Sequence, residues 1–205
     1  MMYALDKSGQ KVTAQPGARA RCPHCQAEVI AKCGEIKRWH WAHKSAIDCD
    51  NWGGGETDWH LYWKSLVPSD WVEATIKKDG KHHRADILLP SGTVVELQHS
   101  SISPRMIEQR ESFYGSMVWL FDISGFAPPC DGEARFMPRK KDGYHTFRWY
   151  HPRKHIAHTT KPTYLDMGHR IMHLKAMYPE SPCGGWGYVK PRAKFVRWLI
   201  EQVAA

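Results

Sequence analysis

At 205 residues with 42% apolar side chains, the chain is long enough to pack one or two domains, which excludes a disordered chain. It has no run of eighteen apolar residues and no apolar signal core, so no membrane partner and a cytoplasmic location are expected. The net charge is +8. Residues 1–124 carry 15 basic and 15 acidic residues and residues 125–205 carry 14 and 6, so the last third is expected to meet an anionic partner.

The first fifty residues are rich in Cys, His and Gly. A strand hairpin is expected over residues 4–14, turning at Ser8-Gly9. Cys22-Pro23-His24-Cys25 is followed by Trp39-His40-Trp41-Ala42-His43. Two close ligand pairs of this kind suit tetrahedral zinc, with Cys22, Cys25, His40 and His43 as ligands. Cys33 and Cys49 are reserves that can replace a histidine. Such zinc is structural, because four protein ligands leave no place for water.

A helix is expected from Glu56, with Trp59, Tyr62, Trp63 and Leu66 as its apolar stripe and Pro68 as its stop. Glu56, His60 and Lys64 fall four apart and share another side. Three strands follow, Trp71–Lys77, Arg84–Leu89 and Thr93–His99, with Asp79-Gly80 as a tight turn. Glu73 on the first is either an extra metal-side carboxylate or, as the alternation of a half-buried strand favours, an ordinary strand residue. Ser103-Pro104 opens a helix that runs to Tyr114 and stops at Gly115. Met117–Phe121 then reads as a buried strand.

Further on, Tyr144–Tyr150 reads as a strand and Tyr164–Met177 as a helix, on which His169 and His173 are four apart. Ser181–Gly185 reads as a loop. Pro191 opens a last helix with Phe195, Val196, Leu199, Ile200 and Val203 on one face. Domain boundaries are expected at 54/55 and 124/125: a zinc module, an α/β core and a basic α+β region.

On their strands Glu96 and Gln98 share a face, and Asp86 lies one strand earlier. Asp86 and Glu96 are hard oxygen donors suited to Mg²⁺ or Mn²⁺. Arg139, Lys140 and Lys141, then Arg148-Trp149-Tyr150, Arg153-Lys154 and His155, mix cations with aromatic rings and suit single-stranded or distorted nucleic acid, or else are surface cations of a small folded unit.

The set Glu56-x3-His60-x3-Lys64, Glu73, Arg84-Ala85-Asp86-Ile87, Glu96-Leu97-Gln98-x-Ser100, Ser103, Arg110 and Tyr114, with the upstream Cys and His pairs, resembles the CoiA-like competence proteins. That family belongs to the PD-(D/E)xK nuclease superfamily. The resemblance covers residues 20–121. It implies a restriction-endonuclease-like mixed sheet flanked by helices, and a metal-dependent nuclease acting on DNA. Asp86 and Glu96 would hold Mg²⁺ or Mn²⁺, and Glu56, His60, Lys64 and Gln98 would complete the catalytic set. Gln98 stands where the superfamily usually has lysine, and an amide can neither take a proton nor supply charge. Lys64 is the substitute cation, and His60 or His99 are alternative proton carriers. Arg110 and Tyr114 either contact nucleic acid or pack their helix on the sheet. A non-catalytic nucleic-acid-binding factor and a protein-interaction factor are the alternatives. The oligomeric state is not legible.

Overall fold

The computed structural model describes residues 1–36, 38–44, 49, 56–125, 134–138, 144–149, 153–180 and 183–202. Arg139, Lys140 and Lys141 lie outside the described residues. The chain forms two compact units, Met1–Leu88 and Leu89–Ala205. This division coincides with neither expected boundary.

The first unit opens with β1 (Tyr3–Leu5), β2 (Lys11–Thr13), β3 (Arg19–Arg21), β4 (Glu28–Lys32) and β5 (His40–His43). They make one sheet in the order β2-β1-β3-β4-β5, with antiparallel neighbours. Its core is small: Ala4, Ala14, Ala20, Cys22, Val29 and Trp41. The Trp41 indole N–H donates to the Val12 carbonyl at 2.9 Å.

Helix α1 (Asp58–Ser65) follows. Thr57 caps it reciprocally: its hydroxyl accepts the His60 N–H, and its own N–H donates to His60 Nδ1. The buried residues of α1 are His60, Trp63 and Lys64, while Tyr62 is 39% exposed. The buried face is therefore rotated away from the expected stripe and towards the polar row.

Strands β6 (Val72–Lys78) and β7 (Lys81–Leu88) form an antiparallel hairpin. Asp79 and Gly80 both have positive φ, +50° and +71°, as a tight two-residue turn requires. The hairpin belongs with the N-terminal sheet: Lys11 Nζ donates to the carbonyls of Ser69 (2.9 Å) and Val72 (2.5 Å). His24 Nδ1 lies 3.2 Å from Thr75 Oγ1. These ties carry the unit past residue 54.

The second unit contains β8 (Val94–Gln98), α2 (Pro104–Tyr114), β9 (Met117–Asp122), β10 (Ala134–Pro138), β11 (His145–Trp149), β12 (Thr163–Asp166), β13 (Arg170–Tyr178), β14 (Gly184–Pro191) and α3 (Arg192–Glu201). Its strands run in the order β10-β11-β14-β13-β12-β9-β8. β8, β9 and β12 are parallel, and the other pairs are antiparallel. The result is a large mixed sheet, with three α-helices in all among the described residues. The parallel pairing of β9 with β12 binds residues 117–122 to 163–166, so the sheet runs through the expected boundary at 124.

Two C-terminal expectations are corrected. Residues 164–177 form strands β12 and β13, not a helix, with Gly168 turning between them at φ +89°. His169 and His173 are therefore not a helical pair. Gly184 and Gly185 begin strand β14, not a loop. β14 is flanked by β11 and β13, and a Cβ on Gly185 would lie 2.3 Å from the Ala176 carbonyl oxygen. No helix among the described residues is long and apolar enough to cross a membrane.

Candidate functional site

Three constellations stand out. The first is a sulfur–nitrogen cluster. Cys22 and Cys25 sit on the turn from β3 to β4, closed by bonds from Cys22 N–H to the Ala27 carbonyl and from Gln26 N–H to the Cys22 carbonyl, each 2.9 Å. Gln26 turns the chain in the left-handed region at φ +62°. The ligand atoms of Cys22, Cys25, His43 and Cys49 all lie within 4.8 Å of one another. Cys22 Sγ is 3.7 Å from Cys49 Sγ, and Cys25 Sγ is 3.2 Å from His43 Nε2. Two sulfurs on a tetrahedral ion with bonds of about 2.3 Å stand roughly 3.7 Å apart, so this donor set can hold a metal such as zinc. Burial and the nearby Arg84 keep the His43 imidazole below its usual pKa, which favours the neutral ligand form.

The fourth member is Cys49, not His40. His40 and His43 lie three apart on strand β5, and odd separations put side chains on opposite faces. His43 faces Cys25, whereas His40 Nδ1 donates to the Arg38 carbonyl at 2.8 Å. Cys33 packs against the small core without joining the group.

The second constellation, also in the first unit, is centred on Lys64. Its Nζ lies 2.6 Å from Glu56 Oε1, 3.0 Å from Asp86 Oδ1 and 3.5 Å from Glu73 Oε1. Only 4% of the Lys64 side chain is exposed. Burial lowers its pKa, but Asp86, Glu73 and Glu56 outweigh that and raise it, so the ammonium stays charged. The structure brings Glu56, Lys64 and Asp86 together.

Sequence reasoning undervalued Glu73. It is 3% exposed and accepts the backbone N–H of Met2 (3.2 and 3.1 Å) and of Tyr3 (3.3 Å). Its φ is +51°, and a bulky residue there carries strain of order 1–3 kcal/mol. In the hairpin register Val72 faces Ile87 and Ala74 faces Ala85, so Glu73 and Asp86 stand opposite each other between them. Sequence offers no sign of the left-handed kink that buries both Val72 and Glu73. His60 is 9% exposed, and its Nδ1 is used in the helix cap.

The third constellation lies in the second unit. Glu96 on β8 is 2% exposed and pairs with Arg110 on α2, Nη1 to Oε2, at 2.7 Å. Arg110 is itself 8% exposed, so it ties α2 to the sheet. Tyr114, in the last turn of α2, is half-buried with its ring against Phe113. Gln98 is buried, and its amide donates to the Ser100 carbonyl at 2.8 Å.

Next along the chain, His99 Nδ1 lies 2.8 Å from Asp122 Oδ2. Asp122 is buried, and its other oxygen accepts the Ser124 N–H and hydroxyl at 2.9 and 2.7 Å. Arg153 donates to the carbonyls of both His99 and Asp122. Asp122 was missed in the sequence reading. The only available signal was an acid at the end of the apolar run Met117–Phe121.

No curated protein and no solved structure matches the chain. Residues 8–51 match the family model for the N-terminal domain of the competence protein CoiA. Cys22, Cys25, His43 and Cys49 all fall inside that segment. Over this N-terminal segment the chain is similar to the CoiA family.

Proposed function

We propose that this chain is a divalent-metal-dependent nuclease that hydrolyses phosphodiester bonds in DNA, with a structural zinc ion in its N-terminal module. The observation that carries this reading is the clustering of Glu56, Glu73 and Asp86 around one buried cation, Lys64 Nζ. Three carboxylates do not share a buried volume without a positive charge among them. Their oxygens are the hard donors that Mg²⁺ and Mn²⁺ select. The restriction-endonuclease-like arrangement belongs to this proposal.

In this reading Asp86 and Glu56 would hold the metal, which would supply polarisation of a phosphate oxygen and an activated water. Lys64 supplies a positive charge among these carboxylates. Gln98, oriented by its bond to the Ser100 carbonyl, positions a water or a phosphate oxygen. His99 carries a proton, with Asp122 fixing its tautomer through Nδ1. The cysteine–histidine cluster would staple the N-terminal sheet, whose own apolar core is small.

One observation favours a second reading, a nucleic-acid-binding factor without catalysis. Lys64 already stands between the carboxylates, and Arg110 already pairs with Glu96. Incubating the protein with linear, circular and single-stranded DNA, with and without Mg²⁺ or Mn²⁺, decides between them. Metal-dependent cleavage that disappears in an Asp86→Ala/Glu96→Ala variant supports the nuclease. Binding without cleavage under every condition leaves only the second reading.

A further inference from the structure

The sheet of the second unit has two unlike faces. Residues directly opposite in antiparallel strands share a face. Phe147, Leu174, Met172, Gly185 and Gly187 form one face, and its side chains are buried. On the other, the register sets Trp186 opposite Thr146 and Ala176, Tyr188 opposite His173, and Gly184 opposite both Arg148 and Tyr178. Tyr178 is 58% and Tyr188 38% exposed.

The rings on this second face are continuous. Tyr144 meets Trp186 at 5.5 Å, and Trp186 meets Tyr188 at 6.0 Å between centroids. Tyr164 stacks on His173 at 4.7 Å, and Phe195 of α3 covers Tyr164 at 4.9 Å, closing that end. Gly184 lies between Tyr178 and Arg148, where a Cβ would come within 2.6 Å of the Phe147 carbonyl oxygen.

Cations border the rings. Arg148 and Lys190 are exposed on this face, and Lys175 Nζ reaches to 3.4 Å from His173 Nε2. No ion pair neutralises Arg148 or Lys190 among the described residues. Residues 125–205 hold the chain's entire excess of positive charge.

We infer that this face, built on β11, β14 and β13 around Tyr144, Trp186, Tyr188 and Tyr178, binds single-stranded DNA by stacking its bases. Stacking on aromatic rings reads no sequence, and surrounding cations track the phosphates. Bases in a duplex are stacked on one another and cannot offer their faces in this way. Lys and Arg with few carboxylates nearby exclude an acidic protein less sharply than they favour a polyanion, but exposed rings at strand spacing fit unpaired bases. The choice of DNA rests on the proposed nuclease. The surface itself does not, because it is read out by binding alone.

The test is fluorescence anisotropy of the full-length chain with a labelled oligothymidylate, the corresponding duplex and an oligouridylate. Single-stranded DNA is expected to bind more tightly than the other two. Tyr178→Ala/Tyr188→Ala is expected to weaken it on the order of tenfold or more, as the loss of one or two stacked bases implies. Tyr178→Phe/Tyr188→Phe keeps the rings and is expected to bind like wild type, and circular dichroism confirms that both variants are folded. Equal affinity for duplex, tighter binding of the oligouridylate, or unchanged affinity in the folded alanine variant would each overturn the inference. Asp86→Ala/Glu96→Ala separates the two readings. If it binds single strands normally while even the wild type never cleaves, the nuclease fails alone. If the wild type cleaves DNA but binds single strands no more tightly than duplex, the stacking face fails alone.

Discussion

Lys64 Nζ lies 3.0 Å from Asp86 Oδ1, with 4% of the lysine and 22% of the aspartate side chain exposed. Glu56 and Glu73 complete the cage, so the ammonium stands among three carboxylates. Its removal leaves carboxylates facing one another out of water. Lys64→Met is expected to cost about 3–5 kcal/mol, the usual penalty for breaking a buried ion pair from one side. For a chain of this length that is a fall in Tm of roughly 6–20 °C. Added Mg²⁺ is expected to recover part of it, since a cation that binds only the folded cage stabilises it. Thermal unfolding of the variant and the wild type, with and without Mg²⁺, measures both effects.

Glu73 makes the same cage pH-sensitive. Burial raises its pKa, but Lys64, then Arg84 and the Met2 N–H, outweigh this and hold it below the ordinary glutamate range. A carboxylate depressed in the folded state contributes stability above its unfolded pKa, about 4.3, and loses it as pH falls through the lower folded value. Glu73→Gln is therefore expected to be less stable than wild type at neutral pH. The gap should close as pH drops below about 4. Urea unfolding across that range tests it, and a gap that stays constant or widens contradicts the assignment.

The cysteine–histidine cluster gives a metal stoichiometry. The purified protein is expected to contain one zinc per chain. Cys25→Ser and Cys49→Ala are expected to lose it together with the fold of the N-terminal module, because metal-binding energy in such modules is folding energy. His40→Ala is expected to keep full zinc, since its ring turns to the Arg38 carbonyl. Elemental analysis of the three variants is sufficient. Zinc loss in His40→Ala with retention in Cys49→Ala would reverse the ligand assignment.

The legible parts of this chain are those specified locally. Ser103-Pro104 and Gly115 bound α2, and Asp79-Gly80 turns β6 into β7. Glu56 and Lys64, eight residues apart, also converge on one cluster. What failed was set by partners far along the chain. Residues 164–177 contain Leu, Met and Ala, which suit a helix, yet strand pairing with β9 and β14 holds them extended. The glycines of β14 read as a loop, although the tight approach of Ala176 and Phe147 is what requires them. The His40-x2-His43 spacing reads as a ligand pair until β5 proves to be a strand. Glu73 was undervalued because its backbone leaves the alternation of an ordinary strand.

Arg110 and Glu96 supply the remaining prediction. They meet at 2.7 Å with side chains 9% and 3% exposed, an ion pair that anchors α2 on β8. If the pairing is the main role of Arg110, Arg110→Ala strands a buried carboxylate and is expected to cost about 3–5 kcal/mol. Arg110→Lys keeps a cation but loses the planar donor fork, so it should fall between alanine and wild type. The double variant Arg110→Met/Glu96→Met removes both charges, and it is expected to recover much of the stability lost by Arg110→Ala. A side chain whose chief work was gripping DNA would behave otherwise: Arg110→Ala would leave the Tm unchanged and reduce only DNA affinity. Measuring Tm and oligonucleotide binding on the same three variants separates an anchor from a contact. The expected result is a large change in Tm, with the double variant close to wild type.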